Sequence, residues 1–153
     1  MTDRDRSEAD GPHLTPDALA AFLERPLIAR LATSDKDRPR VLPMWFLWDG
    51  TDLWMETSPT FPTARILREN PHAAVAIDES LGGFALRAVV MRGEVEVIEQ
   101  PKVRVMKMVE RIYRRYLTDE ELASSEGDRI LSAPHVLLRF NPTRQITWDT
   151  TEP

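Results

Sequence analysis

What most constrains this chain is a succession of short apolar runs that alternate with polar residues and are cut by turn signals. LIARLAT (27–33), RVLPMWFLW (40–48), TDLWMET (51–57), AAVAID (73–78), FALRAVVMRGEVEVIE (84–99), HVLLRFNP (135–142) and RQITWD (144–149) all read as strands. Period-two alternation gives each run one face to bury. Asp49-Gly50 predicts a two-residue hairpin, because both central positions of that turn need positive φ. Gly93 predicts a bulge or bend inside its long run, and Asn141-Pro142 a turn between the last two strands. Strands of this length left open would expose unpaired edges, and closure removes them. The expected fold is mainly β, an antiparallel barrel with accessory α-helices.

The helices are announced by their ends. Thr15-Pro16 supplies an N-cap and a first-turn proline, and Leu19, Phe22 and Leu23 recur at helical spacing before Pro26. Pro62 suits a first helical position, with the helix running to about Asn70, where Pro71 disfavours continuation. Between Pro101 and Leu117, Val105, Val109, Ile112, Tyr113 and Tyr116 form one apolar stripe. Thr118 and Glu121 have the spacing of a capping box. Trp45, Trp48 and Trp54 read as cross-strand packing residues.

A chain of 153 residues suffices for one domain, expected over residues 14–150, after a polar, flexible tail over residues 1–13. The formal charge of -5 argues against general affinity for nucleic acid. With no cysteine, disulfides, thiolate nucleophiles, iron–sulfur clusters and the usual zinc sites drop out. No apolar run approaches the roughly 18 residues that span a bilayer, so a cytoplasmic protein without membrane contact is expected.

Two places invite chemistry. Thr57, Ser58, Thr60 and Thr63 cluster where the second predicted helix begins, and Arg65 and Arg68 follow on it. Unpaired N–H groups, hydroxyls and guanidinium groups suit a phosphate, although from these residues alone an ordinary cap with two solvated arginines is the favoured reading. His13, His72 and His135 lack any metal-ligand spacing and read as surface or structural residues. No P-loop, G-x-S-x-G or G-x-G-x-x-G motif occurs.

The order of five segments resembles the pyridoxamine 5'-phosphate oxidase-like split barrels that bind flavin. They are FLERPLIARLAT, RPRVLPMWFLWDG, ETSPTFPTARILRENP, MRGEVEVIE and NPTRQITWD. The resemblance implies a split β-barrel, a homodimer with FMN in a cleft between two barrels, and oxidoreductase chemistry on a small-molecule substrate. It places Arg40, Val41, Leu42 and Pro43 along the isoalloxazine, and Thr57, Ser58, Thr63 and Arg65 at the phosphate, with Arg68 in reserve. Trp148 would close the site from the neighbouring subunit. Thr63 stands where many relatives have lysine, and DKDRP replaces their Asp-Gly turn. A deazaflavin coenzyme is therefore the alternative cofactor, and a non-catalytic flavin- or haem-binding module the alternative function. The resemblance names no catalytic side chain, because the cofactor itself carries such chemistry.

Overall fold

The computed structural model describes residues 13–151. The tail expected over 1–13 lies outside that range except for His13, whose Nδ1 donates to the Thr147 carbonyl at 2.6 Å. Among the described residues, α1 (Pro16–Glu24) leads into β1 (Ala29–Asp35), β2 (Arg38–Met44), β3 (Leu47–Trp48) and β4 (Leu53–Thr57). Next come α2 (Thr63–Glu69), β5 (His72–Gly82), β6 (Ala85–Ile98), α3 (Lys102–Tyr113), α4 (Asp119–Ala123), α5 (Ser125–Ser132) and β7 (Val136–Asp149). The strands form one antiparallel sheet in the order β2-β1-β5-β6-β7-β4-β3.

The order explains the closure. β2 and β3 occupy opposite ends of the sheet, yet only Trp45 and Phe46 separate them along the chain. The sheet must therefore curl until its two edges meet, as a split barrel. The single strand expected over 40–48 is thus two strands with a crossing between them. Backbone groups at the crossing would be orphaned, and the turn after α3 supplies their partners. The helix stops at Tyr113 rather than Leu117, and the turn that follows aims Arg115 and Tyr116 inward. Tyr116 Oη accepts from Phe46 N at 3.1 Å and donates to the Leu27 carbonyl at 2.6 Å. Arg115 donates to the carbonyls of Phe46, Leu23 and Arg25.

Three other expectations are corrected. Asp49-Gly50 opens a four-residue loop, not a two-residue one: Trp48 pairs with Leu53, and Asp49 Oδ1 accepts from Thr51 N and Asp52 N at 2.8 and 2.7 Å. Only Gly50 there has positive φ, at 99°. Asn141-Pro142 is not a turn but a bulge in one continuous strand, with Gly93 opposite Pro142 and Arg92 opposite Arg144. A Cβ on Gly93 would lie 2.0 Å from the Asn141 carbonyl oxygen, which is why glycine stands there. Pro62 caps α2 without a side-chain bond, leaving Thr63 as its first residue. The Thr15 cap and the Thr118–Glu121 capping box both form as expected.

Alternation sorts the apolar side chains into two clusters. Leu31, Phe46, Leu53, Met55, Val75, Ile77, Met91, Leu138 and Phe140 fill the barrel under α1. Leu47, Trp54 and Leu137 point the other way and pack under Val105, Val109 and Ile112 of α3. On β4 this alternation puts Glu56 beside Trp54, outside the barrel and facing the helical layer.

Candidate functional site

A cleft of ≈ 620 Å³ opens where the sheet splits. One wall is the end of β2 and the crossing, Leu42, Pro43, Met44 and Trp45; another is the end of β4, Glu56, Thr57 and Ser58, with Phe61 beyond it. Tyr113 of α3, Arg129 and Ile130 of α5 and the segment 133–135 complete it. β2 is an edge strand, so alternate backbone groups along its outer side have no partner in the sheet.

The inner wall carries a polar network that the sequence does not announce. Tyr113 Oη donates to Glu56 Oε1 at 2.9 Å, and His135 Nδ1 lies 2.8 Å from Glu56 Oε2. His135 Nε2 lies 2.8 Å from the Ile130 carbonyl oxygen. Both ring nitrogens therefore face acceptors, which the doubly protonated imidazolium satisfies. The hydrogen bond to Glu56 raises the pKa of His135 above its ordinary value against the effect of burial, and the Ile130 carbonyl adds to the rise. Burial, then the charge on Glu56, pushes the Tyr113 hydroxyl up. Trp45 stacks on Tyr116 with ring centroids 4.7 Å apart and meets Tyr113 edge-on at 5.5 Å. It is a cleft wall, not the cross-strand partner expected.

Of the residues singled out from sequence, Leu42, Pro43, Thr57 and Ser58 come together in this cleft. Arg40 and Val41 continue β2 away from it toward the β1–β2 turn. Ser58 Oγ lies 2.8 Å from Thr60 Oγ1, so those hydroxyls engage each other. Thr63 is 1% exposed, and its Oγ1 has no hydrogen-bond partner. Arg65 reaches Asp35 at 3.5 Å and Glu69 at 3.3 Å, whereas Arg68 pairs with Glu99 at 2.8 Å. Trp148 lies opposite Ala88 on β7 and does not line the cleft of its own chain. Among the described residues no group of three or more histidine or carboxylate side chains is placed to hold a metal.

A seven-stranded antiparallel barrel whose cleft sits at the break between β2 and β3 defines the class as a split barrel. The family model for pyridoxamine 5'-phosphate oxidase matches residues 15–149, and the chain belongs to that family. No curated protein matches the sequence significantly. Among solved structures, the chain is similar to a conserved hypothetical protein, Rv2991, from Mycobacterium tuberculosis (25% identity, TM-score 0.75, 92% of this chain and 88% of that one). It is similar to an F420 reductase (28% identity, TM-score 0.60, 82% and 93%). It also shares its fold with the haem storage protein HutZ from Vibrio cholerae (17% identity, TM-score 0.69, 92% and 99%).

Proposed function

We propose that this chain is a flavin-binding oxidoreductase acting on a small molecule, with FMN in the cleft at the split. The observation that carries the reading is the meeting of Leu42 and Pro43 with Thr57 and Ser58 in one cleft, on the two segments that the family resemblance assigns to the coenzyme. The lining suits a planar ring, being apolar and aromatic at Leu42, Met44, Trp45, Phe61 and Ile130, with a few polar groups among them.

The phosphate end lies along β2 in the other direction. Arg65 reaches Asp35, which pairs with Arg38 at the start of β2, while the cleft meets the end of that strand. Arg40 and Val41 lie between the two ends. The unpartnered hydroxyl of Thr63 fits an anion there, and the long, exposed ion pairs of Arg65 are of the kind a phosphate displaces at little cost. Thr63, Arg65 and Arg40 would hold the tail.

When bound, a flavin supplies the electron-transfer chemistry. This chain's residues bind and orient it: the edge of β2 offers backbone hydrogen bonds, Trp45 and Phe61 exclude water, and Glu56 faces the ring. Exposed Val41 on the edge strand β2 and exposed Phe61 at the cleft support a homodimer in which Trp148 of a second copy closes the site. Among the described residues no helix is long and apolar enough to cross a membrane, and a cytoplasmic location is part of the proposal.

A deazaflavin coenzyme is the second reading. Thr63 in place of lysine removes one phosphate charge, and the similarity to an F420 reductase at 28% identity points the same way. Haem has less support, because His135, the histidine lining the cleft, has both nitrogens engaged. Fluorescence titrations with FMN and with F420 test the proposal: saturable micromolar binding of one or the other is expected, and binding of neither overturns it.

A further inference from the structure

We infer that Glu56 is the ligand-facing hydrogen-bond acceptor of the cleft, and that it selects a planar ring presenting an imide-type N–H over the same ring with that hydrogen replaced. The inference rests on the ring-binding reading above and assigns its specificity to one side chain. A carboxylate offers about four lone-pair sites. Tyr113 and His135 each use one, on different oxygens. The Glu56 side chain is 21% exposed against 5% for His135, and that exposure opens into the cleft it lines. Remaining acceptor capacity is therefore directed at whatever fills the space.

The two groups that hold Glu56 have no further proton to offer a ligand. The Tyr113 hydroxyl proton is committed to Glu56, and His135 Nε2 to the Ile130 carbonyl. The imidazolium of His135 offsets the charge of Glu56, so the carboxylate lines the cleft without being a lone buried charge. Facing it, the free edge of β2 presents backbone groups, although Pro43 contributes no N–H. A ring edge that alternates carbonyl, N–H and carbonyl, as in the pyrimidine portion of flavins and deazaflavins, offers such an acceptor its N–H. A ring with only acceptors at that edge would set its lone pairs against the carboxylate.

The test compares riboflavin with 3-methylriboflavin, and 5-deazariboflavin with its 3-methyl analogue, by fluorescence titration of the full chain. Wild-type protein should prefer the N–H ring by roughly 10- to 100-fold, the range for a hydrogen bond to a charged group. Glu56→Gln should reduce that preference to about 3-fold or less. Taking the ratio within one protein cancels any general weakening. If E56Q does not fold, Glu56→Asp, which withdraws the carboxylate by one methylene, is read in the same way. Equal affinity for both members of a pair in wild type, or a preference retained in the variant, overturns the inference and leaves the flavin reading standing. No binding of any of the four rings overturns both.

Discussion

His135 Nδ1 and Glu56 Oε2 lie 2.8 Å apart and tie the segment after α5 to the end of β4, closing the inner wall of the cleft. Because the contact raises the pKa of His135, the folded chain holds a proton that the unfolded chain releases sooner. Its stabilisation is fully present below the ordinary histidine value, about 6.5, and is lost as pH rises through the higher folded value. Thermal melts should accordingly show the wild type losing stability as pH rises above about 6.5. His135→Gln, which cannot titrate, should flatten that slope and, by replacing a charged hydrogen bond to Glu56 with a neutral one, cost about 1–2 kcal/mol at pH 6. A wild-type pH profile parallel to that of the variant would contradict the assignment.

Arg115 closes the barrel. Its guanidinium serves three carbonyls around the crossing and lies 4.7 Å from the Phe46 ring centroid. Burial pulls its pKa below the ordinary guanidinium value, which shows how far it is drawn from water. Arg115→Met should lower the unfolding free energy by about 2–4 kcal/mol in urea, since the carbonyls lose their donors together. Lysine should not rescue, because a point charge cannot reproduce the planar fork. Equal midpoints for wild type and both variants would show the crossing to be held by other contacts.

Gly93 is required by approach, not by backbone freedom. A methyl group there meets the Asn141 carbonyl within 2.0 Å, inside the β6–β7 pairing that carries the longest ladder of the sheet. Gly93→Ala should cost about 2–4 kcal/mol or abolish soluble folding, measured by thermal circular dichroism. At Gly50 an alanine meets nothing within 4 Å and is opposed only by the positive φ, so Gly50→Ala should cost about 1 kcal/mol. Reversal of that order would displace the bulge from its structural role.

These residues mark where sequence reading succeeds and where it stops. Strand identity and caps are local: the short apolar run at residues 53–55 and the pairs Thr15-Pro16 and Thr118–Glu121 encode them directly. Pairing is not local. The run over 40–48 looks continuous because every residue from Val41 to Trp48 is apolar, Pro43 included; the break at Trp45 and Phe46 comes from Arg115 and Tyr116, about seventy positions later. Asn141-Pro142 resembles a turn because proline lacks an N–H, and only Gly93 opposite it reveals a bulge. Within the site, Leu42, Pro43, Thr57 and Ser58 were legible through the family resemblance. Glu56 had one local signal, a lone carboxylate on the face that Trp54 shares. Tyr113 read as part of an apolar stripe and His135 as a strand-start histidine, and no spacing joins them to Glu56.

The two arginines on α2 separate by what they touch. Arg65 spans Asp35 and Glu69 at 3.3–3.5 Å on the side of the helix that faces the start of β2, whereas Arg68 is held by Glu99 at 2.8 Å. If the coenzyme's tail runs along β2 from the cleft toward that start, Arg65 can exchange its long ion pairs for a phosphate and Arg68 cannot reach it without breaking a shorter one. Arg65→Gln should weaken FMN by roughly 10-fold while leaving riboflavin unchanged, since only the former carries the charge. Arg68→Gln should stay within about 3-fold for both ligands. Equal losses for FMN and riboflavin in Arg65→Gln would mean that the guanidinium supports α2 and not a phosphate, and a larger loss in Arg68→Gln would move the tail to the other side of the helix.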